Sequence, residues 1–277
     1  MLAVCIILGL LVFLTVLYLG MIKPAGAKRS DRTPFMGVLY AHRGLHDNAS
    51  EAPENSLAAF RKAVEAGFGM ELDIQLSKDK VPVVFHDFTL KRVCGAEGKV
   101  RDYTLQELKE FRLCESEEQI PTLAEVLELV DGRVPLIIEF KGEDTDLSLC
   151  PIADQMLREY KGVYCVESFN PLMVIWYKRH HKEIFRGQLS EKFFTHGKKT
   201  VVHFFLQNMM LNFLSKPDFI SYKCTDHDAL SCRLCVGFFK AAAVTWTVKS
   251  AKELEEMQKY FEIFIFEGFL PKDSQRI

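Results

Sequence analysis

The stretch MELDIQLSKDKVPVVFHD, residues 70–87, decides the fold of this chain. Apolar residues alternate with polar ones over residues 70–76, which is typical of a β-strand with two distinct faces. A second apolar run, residues 81–85, follows after a gap that is too short for a parallel crossover of about a dozen residues. The sequence therefore predicts a local hairpin or a broken strand here, with Glu71 and Asp73 on the same face of a strand.

The strand pattern recurs along the chain in alternation with helical stretches. Nine apolar or β-branched runs are predicted strands: residues 38–41, 70–76, 81–85, 136–140, 163–167, 184–189, 218–222, 243–248 and 263–266. Capping boxes begin helices after Thr104 and Thr122. Further helices are predicted at residues 149–160, 171–180, 201–214, 229–240 and 251–260. This rhythm, over roughly 230 residues, favours an α/β fold, a TIM-type (β/α)8 barrel, in which one of the nine strands is surplus.

The composition is that of one globular domain behind an apolar N-terminus. The chain has 277 residues, 48% of them hydrophobic, and a formal net charge of -2. That charge leaves no positive field for a nucleic-acid backbone, so no nucleic-acid partner is expected. The eight cysteines follow no disulfide framework. We expect a transmembrane anchor at residues 1–22, a basic juxtamembrane linker at 23–37, a single barrel at 38–270 and a tail at 271–277.

The N-terminal segment is long and apolar enough to cross a bilayer. Residues 2–22 carry no charge, and about 20 apolar residues span the hydrocarbon core as a helix. The alternative is a cleaved signal peptide with a small-residue site at residues 25–27, although no basic region precedes the long apolar run. The basic residues near the span all follow it: Lys23, Lys28, Arg29 and Arg32. The positive-inside rule therefore predicts that the rest of the chain lies on the cytoplasmic side.

Polar side chains gather where four predicted strands end: His42, Arg43, Glu71, Asp73, His86, Asp87, Glu139 and Lys141. Taken singly, each is compatible with a solvated edge or a salt bridge, but carboxyl ends of strands are where barrel enzymes carry their sites. Carboxylates inside apolar strands are costly unless a cation or a donor binds them, which favours Mg²⁺ or Ca²⁺. Two histidines supply an acid and a base, and Arg43 and Lys141 match a phosphate. This inventory predicts phosphodiester hydrolysis.

Four consecutive motifs resemble those of the glycerophosphodiester phosphodiesterase family: AHRG at residues 41–44, APENSLAAF at 52–60, MELDIQL at 70–76 and VVFHD at 83–87. The likeness continues through IPTL, IEFK, ESFN and VTWTV and covers about residues 40–268. It implies a TIM-type barrel with an insertion at about residues 88–119. It also implies hydrolysis of glycerophosphodiesters to glycerol 3-phosphate and an alcohol with a divalent cation, often Mg²⁺ or Ca²⁺.

The resemblance also implies roles for individual residues. It gives a catalytic pair, His42 and His86; metal ligands, Glu71, Asp73 and Glu139; phosphate-binding residues, Arg43 and Lys141; and an aromatic wall, Trp246. Two positions depart from the family pattern. The last predicted strand ends in FEGFLP, residues 266–271, where the family commonly has Thr-Asp before a proline, and Ser56 stands where threonine is common. Neither departure removes a residue with an implied role.

Several alternatives remain open at this point. The substrate is a glycerophosphodiester or, in a phospholipase D-like variant, a lysophospholipid of the membrane, and the alcohol and the oligomeric state are not predicted. A silent membrane-binding module is disfavoured by the intact polar set. Residues 201–214 are predicted as a buried outer helix or, alternatively, as a helix that rests on the bilayer. One further group has two interpretations, a structural zinc site or small residues that pack in the core: Cys224, His227, Cys232 and Cys235.

Overall fold

The computed structural model describes residues 1–25 and 31–271, and all nine predicted strands are present in it. The strands are β1 Leu39–Ala41, β2 Gly69–Leu76, β3 Pro82–Val84, β4 Leu136–Phe140, β5 Tyr164–Ser168, β6 Arg186–Ser190, β7 Phe219–Lys223, β8 Ala242–Val248 and β9 Ile263–Phe266. Part of the predicted linker, residues 26–30, and most of the predicted tail, residues 272–277, lie outside the described residues.

Eight of these strands close into a parallel barrel. The order is β1-β9-β8-β7-β6-β5-β4-β2, and β1 pairs with β2 to complete the ring. The remaining strand, β3, lies outside this ring and pairs antiparallel with β2 alone, with Ile74 opposite Val84 and Leu76 opposite Pro82. The predicted TIM-type barrel is confirmed, and the surplus strand is the second arm of the expected hairpin.

Eleven α-helices are assigned within the described residues: α1 Leu2–Ile22, α2 Leu57–Glu65, α3 Lys91–Cys94, α4 Leu105–Leu108, α5 Leu123–Val130, α6 Leu149–Glu159, α7 Pro171–His180, α8 Val201–Gln207, α9 Asn212–Ser215, α10 Leu230–Arg233 and α11 Ala251–Met257. A wider helical turn, Leu234–Phe238, follows α10 directly. Both predicted capping boxes form, at Thr104 and at Thr122. The predicted helix over residues 201–214 is broken, because Met209 adopts a φ of 54° between α8 and α9.

The barrel interior has an apolar layer towards the amino ends of the strands and an acidic layer towards their carboxyl ends. On β4, Ile137 and Glu139 share the inward face, and on β5 Cys165 and Glu167 do the same, since side chains two residues apart point the same way. The apolar layer is closed from below by Phe35 and its neighbours. Polar groups are thereby concentrated at the carboxyl ends of the strands.

Two peripheral regions have distinct environments. The predicted insertion, residues 88–119, packs on β3 through an apolar cluster of its own, separate from the main core. By contrast, α8 contains no buried residue, and Val201 and Val202 are 74% and 62% exposed. The interpretation of residues 201–214 as one buried helix is therefore wrong for α8, whereas after the break at Met209 helix α9 buries Asn212 and Ser215.

Helix α1 stands largely outside the barrel. Residues 2–17 are exposed, and α1 is the helix within the described residues whose length and apolar composition suit a membrane span. A signal sequence near an N-terminus has the same character, so this observation leaves both interpretations. The last turn of α1 belongs to the domain, since Ile22 is fully buried and the Ala25 N–H donates to Pro217 O at 2.9 Å.

Candidate active site

The loop after β1 carries His42 and Arg43 to the mouth of the barrel. Arg43 adopts a φ of 53° and Gly44 a φ of 81°, which turns the chain sharply. A Cβ atom at Gly44 would lie 2.9 Å from the carbonyl carbon of Ala59, so a side chain would displace α2. The turn points the Arg43 backbone N–H at Glu71 Oε2, 3.1 Å away, and so ties this loop to β2.

Three buried carboxylates meet at the carboxyl ends of β2 and β4. Glu71 and Asp73 lie two residues apart on β2, and Asp73 pairs in register with Glu139 on β4. One oxygen of each residue lies within 4.8 Å of the other two. Within residues 1–25 and 31–271, this is the only group of three or more His, Cys, Asp or Glu side chains close enough to share a metal ion. The oxygen-only donor set suits Mg²⁺ or Ca²⁺ better than zinc.

The charges in this cluster repel one another. Burial, and then the charges of Asp73 and Glu139, raise the pKa of Glu71 well above its usual value. Burial also raises the pKa of Glu139, against the opposing charge of Lys141. For Asp73, burial alone would raise the pKa, but the charges of His86 and Lys141 lower it. A divalent cation would relieve the repulsion, so the residues present fit the predicted metal.

A fourth carboxylate, Glu167 on β5, is absent from the predicted site residues. It pairs in register with Glu139, and only 3% of its surface is exposed. Burial, and then the charge of Glu139, raise the pKa of Glu167 to about 8. Its Oε2 has no hydrogen-bond partner. The inward alternation of Cys165 and Glu167 along the strand is the sequence signal that identifies it.

Carboxylates hold both of the predicted phosphate-binding cations. Arg43 Nη1 lies 2.8 Å from Glu54 Oε1, and its Nε lies 3.4 Å from Asp73 Oδ2. Lys141 Nζ lies 2.8 Å from Glu139 Oε1 and 3.3 Å from Asp73 Oδ1. Arg43 lines the central cavity, whereas Lys141 faces a smaller cleft. The structure therefore brings Arg43 to the cavity wall and places Lys141 where it balances the acidic cluster.

His42 is oriented by a carboxylate from the last strand. Its Nδ1 lies 2.5 Å from Glu267 Oε2, and its Nε2 lies 3.9 Å from Glu71 Oε2. The hydrogen bond from His42 lowers the pKa of Glu267 to about 2, so this ionised carboxylate accepts the proton of Nδ1. Burial, and then the charge of Arg43, lower the pKa of His42 to about 4, against the effect of Glu267. A neutral His42 therefore presents the lone pair of Nε2 to the site.

His86 is held in the same way by its sequence neighbour. Its Nδ1 lies 2.6 Å from Asp87 Oδ1, and Arg92 Nε lies 2.6 Å from Asp87 Oδ2. Arg92 also contacts both oxygens of Glu54 at 2.7 Å, and Glu54 in turn binds Arg43. One chain of alternating charges thus connects His86 to the loop after β1.

Besides Glu167 and Glu267, sequence reasoning missed Glu54, Asn55 and Arg92. Glu54 and Asn55 lie within the APENSLAAF motif, which the resemblance singled out without a role for either. Asn55 Nδ2 donates to Asp73 Oδ2 at 3.0 Å and so fixes a predicted metal ligand. Arg92 lies in the insertion, where no motif marks it.

Both histidines, Arg43 and most of these carboxylates, though not Asp73, line one cavity of about 790 Å³. Its acidic end holds the carboxylates and histidines, and its opposite wall is formed by Phe169, Leu189 and Trp246 with the polar residues Glu191 and Lys223. The rings of Phe169 and Trp246 meet edge to face at 5.6 Å, and Lys223 Nζ lies 5.9 Å from the Trp246 ring centre. The predicted aromatic wall is therefore part of the same cavity as the carboxylate cluster.

The cysteine-rich segment shows no sign of a shared metal. Cys224 Sγ lies 3.2 Å from Thr247 O, whereas Cys235 Sγ lies 3.6 Å from Asn212 Nδ2. The His227 ring nitrogen Nδ1 is hydrogen-bonded to a backbone carbonyl. These groups face separate partners in the described structure, as expected for small residues that pack in a core.

A model of the glycerophosphoryl diester phosphodiesterase family matches residues 42–220, which is more than half of the chain. The chain belongs to this family. The matched segment begins at His42 and includes Arg43 and the three clustered carboxylates. Trp246 and Glu267 lie beyond the part of the chain that matches the family model.

Curated glycerophosphodiester phosphodiesterases resemble part of the chain. One from Caldanaerobacter subterraneus subsp. tengcongensis is 44% identical over 112 residues, which cover 38% of this chain and 45% of that protein. Human glycerophosphodiester phosphodiesterase 1 is 35% identical over 112 residues, 37% of this chain and 33% of the human protein. The chain therefore spans about half the length of the bacterial relatives it matches.

Solved structures of this family share the barrel. A phosphodiesterase from Oleispira antarctica, solved with the product sn-glycerol-3-phosphate, superposes with a TM-score of 0.68 at 23% identity and covers 84% of this chain and 93% of its own. A glycerophosphodiester phosphodiesterase from Parabacteroides distasonis has a TM-score of 0.65 at 25% identity, over 83% of this chain and 92% of its own. The fold of the family thus extends over nearly the whole barrel.

Proposed function

We propose that this chain hydrolyses glycerophosphodiesters to glycerol 3-phosphate and an alcohol, with Mg²⁺ or Ca²⁺ bound by Glu71, Asp73 and Glu139. The observation that carries the proposal is that this buried cluster and two carboxylate-bound histidines face one another at one barrel mouth. Membership of the family supports it. The product bound to the Oleispira antarctica phosphodiesterase, which has the same fold, supports the glycerol 3-phosphate product.

The cations of the site prepare it for a phosphate. When bound, the divalent ion would draw charge from the phosphate and lower the pKa of an attacking hydroxyl or water. Arg43 offers N–H groups to the non-bridging oxygens, and its pairing with Glu54 and Asp73 fixes its orientation before substrate arrives. Lys141 binds Glu139 and Asp73, and its charge favours their ionised, metal-binding form against the effect of burial.

The two histidines transfer the protons. Since Nδ1 of each ring donates to a carboxylate, Nε2 is the atom that serves the substrate. One of His42 and His86 takes the proton of the attacking oxygen as that oxygen bonds to phosphorus. The bond from phosphorus to the alcohol oxygen breaks, and the other histidine protonates that oxygen. One water molecule is consumed for each diester hydrolysed.

Release of glycerol 3-phosphate tests this function. The whole chain in detergent micelles is assayed with glycerophosphocholine and with glycerophosphoethanolamine, first in EDTA and then with added Mg²⁺ or Ca²⁺. We expect no release in EDTA and restored release with a metal. His42→Ala is expected to be inactive, and His180→Ala, which alters an exposed histidine on α7, to retain activity. Folded protein that releases nothing with either metal would contradict the proposal.

We further propose that α1 remains on the mature protein as a membrane anchor. Cleavage within residues 25–27 would remove Ile22, whose carbonyl accepts hydrogen bonds from Asn212 Nδ2 at 3.0 Å and from Cys235 Sγ at 3.4 Å. Both donors are buried, and a buried donor without a partner costs about 1–3 kcal/mol. The intact mass of protein extracted from membranes decides between the alternatives, since a signal peptide would be missing from it.

The charges beside the anchor support a proposed orientation of the domain. Lys23 and Arg32 follow α1 and no charged residue occurs within it, which supports a cytoplasmic barrel. Protease added to intact cells is expected to spare the domain. Digestion of the domain from outside would reverse the proposed orientation.

Hydrolysis of lysophospholipids at the same site, in the manner of a phospholipase D, is the second candidate. The observation that favours it is the exposed apolar surface of α8, where Phe204 is 45% exposed. This helix begins three residues after Lys198, which lines the cavity, so its first turn lies within roughly 10 Å of the mouth. An acyl chain attached to the glycerol would find an apolar surface there. Release of choline from lysophosphatidylcholine tests this candidate.

A further inference from the structure

A group of apolar side chains beside α1 is exposed without an evident role in the barrel. They lie on α8, on α9 and at the end of the helical turn after α10: Val201, Val202, Phe204, Phe213, Leu214 and Phe238. We call this group the anchor flank. The exposed fractions range from 41% to 74%. Single exposed apolar residues are ordinary, but several on adjoining helices mark an interaction surface.

The helices of the anchor flank are bound to one another and to the end of α1. Ser231 Oγ on α10 donates to Gln207 O at the end of α8, at 2.8 Å. Asn212 on α9 and Cys235 in the turn after α10 both donate to Ile22 O. The anchor flank is therefore joined to the end of α1 through α9 and the turn after α10, and α8 is joined to it through α10.

The length of α1 places this flank close to a bilayer. Residues 2–17 are exposed, and these sixteen residues form about 24 Å of helix. The hydrocarbon core is about 30 Å thick, so the last turns of α1 are needed to cross it. Those turns pack on the domain, since Tyr18 and Leu19 contact its core and Ile22 is buried in it. If α1 spans the bilayer, the elements that bind its last turn, α9 and the turn after α10, lie near the membrane interface.

Lysines surround the end of α1 at the same level. Lys216 Nζ donates to Lys23 O at 3.1 Å, and Lys178 is near enough that its charge and that of Lys23, after burial, lower the pKa of Lys216. These lysines come from three different segments, so no single helix shows the basic face of an interfacial helix. Lysines at a membrane surface attract anionic headgroups, at about 1 kcal/mol each.

We propose that the anchor flank rests in the interfacial layer of an anionic bilayer, with its apolar side chains below the headgroups and the three lysines among them. The loops that precede α8 and α10 line the cavity through Lys198 and Thr225, so the mouth opens beside the membrane surface. A membrane is the occupant that this surface fits, because α9 and the turn after α10 bind the end of the helix that enters the bilayer. This inference rests on α1 as an anchor and is independent of the reaction.

Photochemical attachment to lipid tests the inference. The photoreactive residue p-benzoylphenylalanine replaces Phe204 or Phe238 in the whole chain, which is reconstituted in vesicles of phosphatidylcholine and phosphatidylglycerol and irradiated. Mass spectrometry then measures the yield of protein–lipid adducts. The same residue at Phe13 in α1 is the control inside the bilayer. At Ala124, exposed on α5, it is the control on the far side. Helix α5 packs on β3, and the partner of β3, strand β2, lies four strands from β7 in either direction around the barrel.

We expect the adduct yield at Phe204 and Phe238 to approach that at Phe13 and to exceed that at Ala124 severalfold. Yields at both flank positions equal to that at Ala124 would overturn the inference, and so would the absence of adducts at Phe13. Because both positions are exposed, their substitution leaves the fold intact, which thermal unfolding of each variant verifies. Hydrolysis measured in the same vesicles is scored separately, so an inactive protein with strong adducts contradicts the proposed function alone.

Discussion

His42 and Glu267 share a hydrogen bond of 2.5 Å that joins the first strand of the barrel to the last. The two residues are 225 positions apart in the sequence, and they meet because β1 pairs with β9. A second bond, from the His42 N–H to Phe266 O at 2.9 Å, fixes the backbone at the same point. Closure of the barrel is therefore what orients this histidine. Glu267 lies in the FEGFLP segment, residues 266–271, which departs from the family pattern.

Changing Glu267 is expected to affect turnover more than binding. Glu267→Gln retains an acceptor for His42 Nδ1 but removes the charge, and Glu267→Ala removes both, so we expect kcat to fall about 10-fold and about 100-fold respectively. The KM should change little, because Glu267 acts through the histidine. Steady-state kinetics with glycerophosphocholine measure both constants. Glu255→Gln, on the exposed side of α11, is the control, and a wild-type kcat for Glu267→Ala would exclude a positioning role.

The histidine pair is expected to be indispensable. His42→Ala and His86→Ala should each lower kcat by about 10² or more, because each removes one proton transfer from the reaction. Single-turnover assays on protein with unchanged far-UV circular dichroism measure the effect. Near-wild-type rates in either variant would show that the ring concerned is structural.

Substitution of Glu71 in the carboxylate cluster is expected to have opposite effects on the Tm with and without bound metal. A free metal concentration of about 100 times Kd adds about 2.7 kcal/mol to the free energy of unfolding, so Mg²⁺ or Ca²⁺ should raise the Tm of the native chain. Glu71→Gln removes one of three buried carboxyl groups that repel one another when ionised, so its Tm in EDTA should equal or exceed that of the native chain while the metal-dependent rise is lost. Differential scanning calorimetry measures both. A lower Tm in EDTA with the rise retained would identify Glu71 as a structural residue.

Acid is expected to destabilise the domain partly through Glu54. Burial alone would raise the pKa of Glu54, but Arg92 and Arg43 lower it to about 2. Because this value lies below the unfolded value of about 4.3, the ionised carboxylate stabilises the folded state above pH 4.3, and this contribution is lost as the pH falls to 2. Urea unfolding at pH 6 and pH 3 should show a smaller loss of unfolding free energy for Glu54→Gln than for the native chain. An equal loss in both would assign the acid sensitivity elsewhere.

The apolar surface of α8 is expected to matter for lipid substrates alone. The double variant Val202→Ser, Phe204→Ser alters exposed side chains outside the cavity, so hydrolysis of soluble glycerophosphocholine should remain unchanged. Choline release from lysophosphatidylcholine in vesicles should fall severalfold, because the substrate loses an apolar path to the mouth. Equal rates of the variant and the native chain on both substrates would remove the support for the second candidate function.

The strands and the clustered site were predictable because their signals are local. Alternation over residues 70–76 and the short gap before residues 81–85 indicate a hairpin and place Glu71 beside Asp73, and the structure contains both features. The roles of the site residues stay predictions, since they depend on bound metal and substrate.

What sequence reasoning missed depends on contacts between distant residues. Arg92 carries no motif, and its importance arises because α3 packs where its guanidinium reaches Asp87 and Glu54. The break in the predicted helix over residues 201–214 was equally hidden, because its apolar residues give no sign of which face is covered. Both features follow from tertiary packing, which overrides local pattern.

Among the described residues of the insertion, residues 88–119, Arg92 is the one that lines the cavity. The insertion packs with β3 around its own apolar cluster, and such a unit can open locally while the rest of a domain stays folded. Opening would withdraw Arg92 from Asp87, the carboxylate that holds His86. Conditions that loosen the insertion should therefore abolish the proposed hydrolysis before the barrel unfolds, and hydrogen exchange at α3 should report on that hydrolysis more closely than the global Tm.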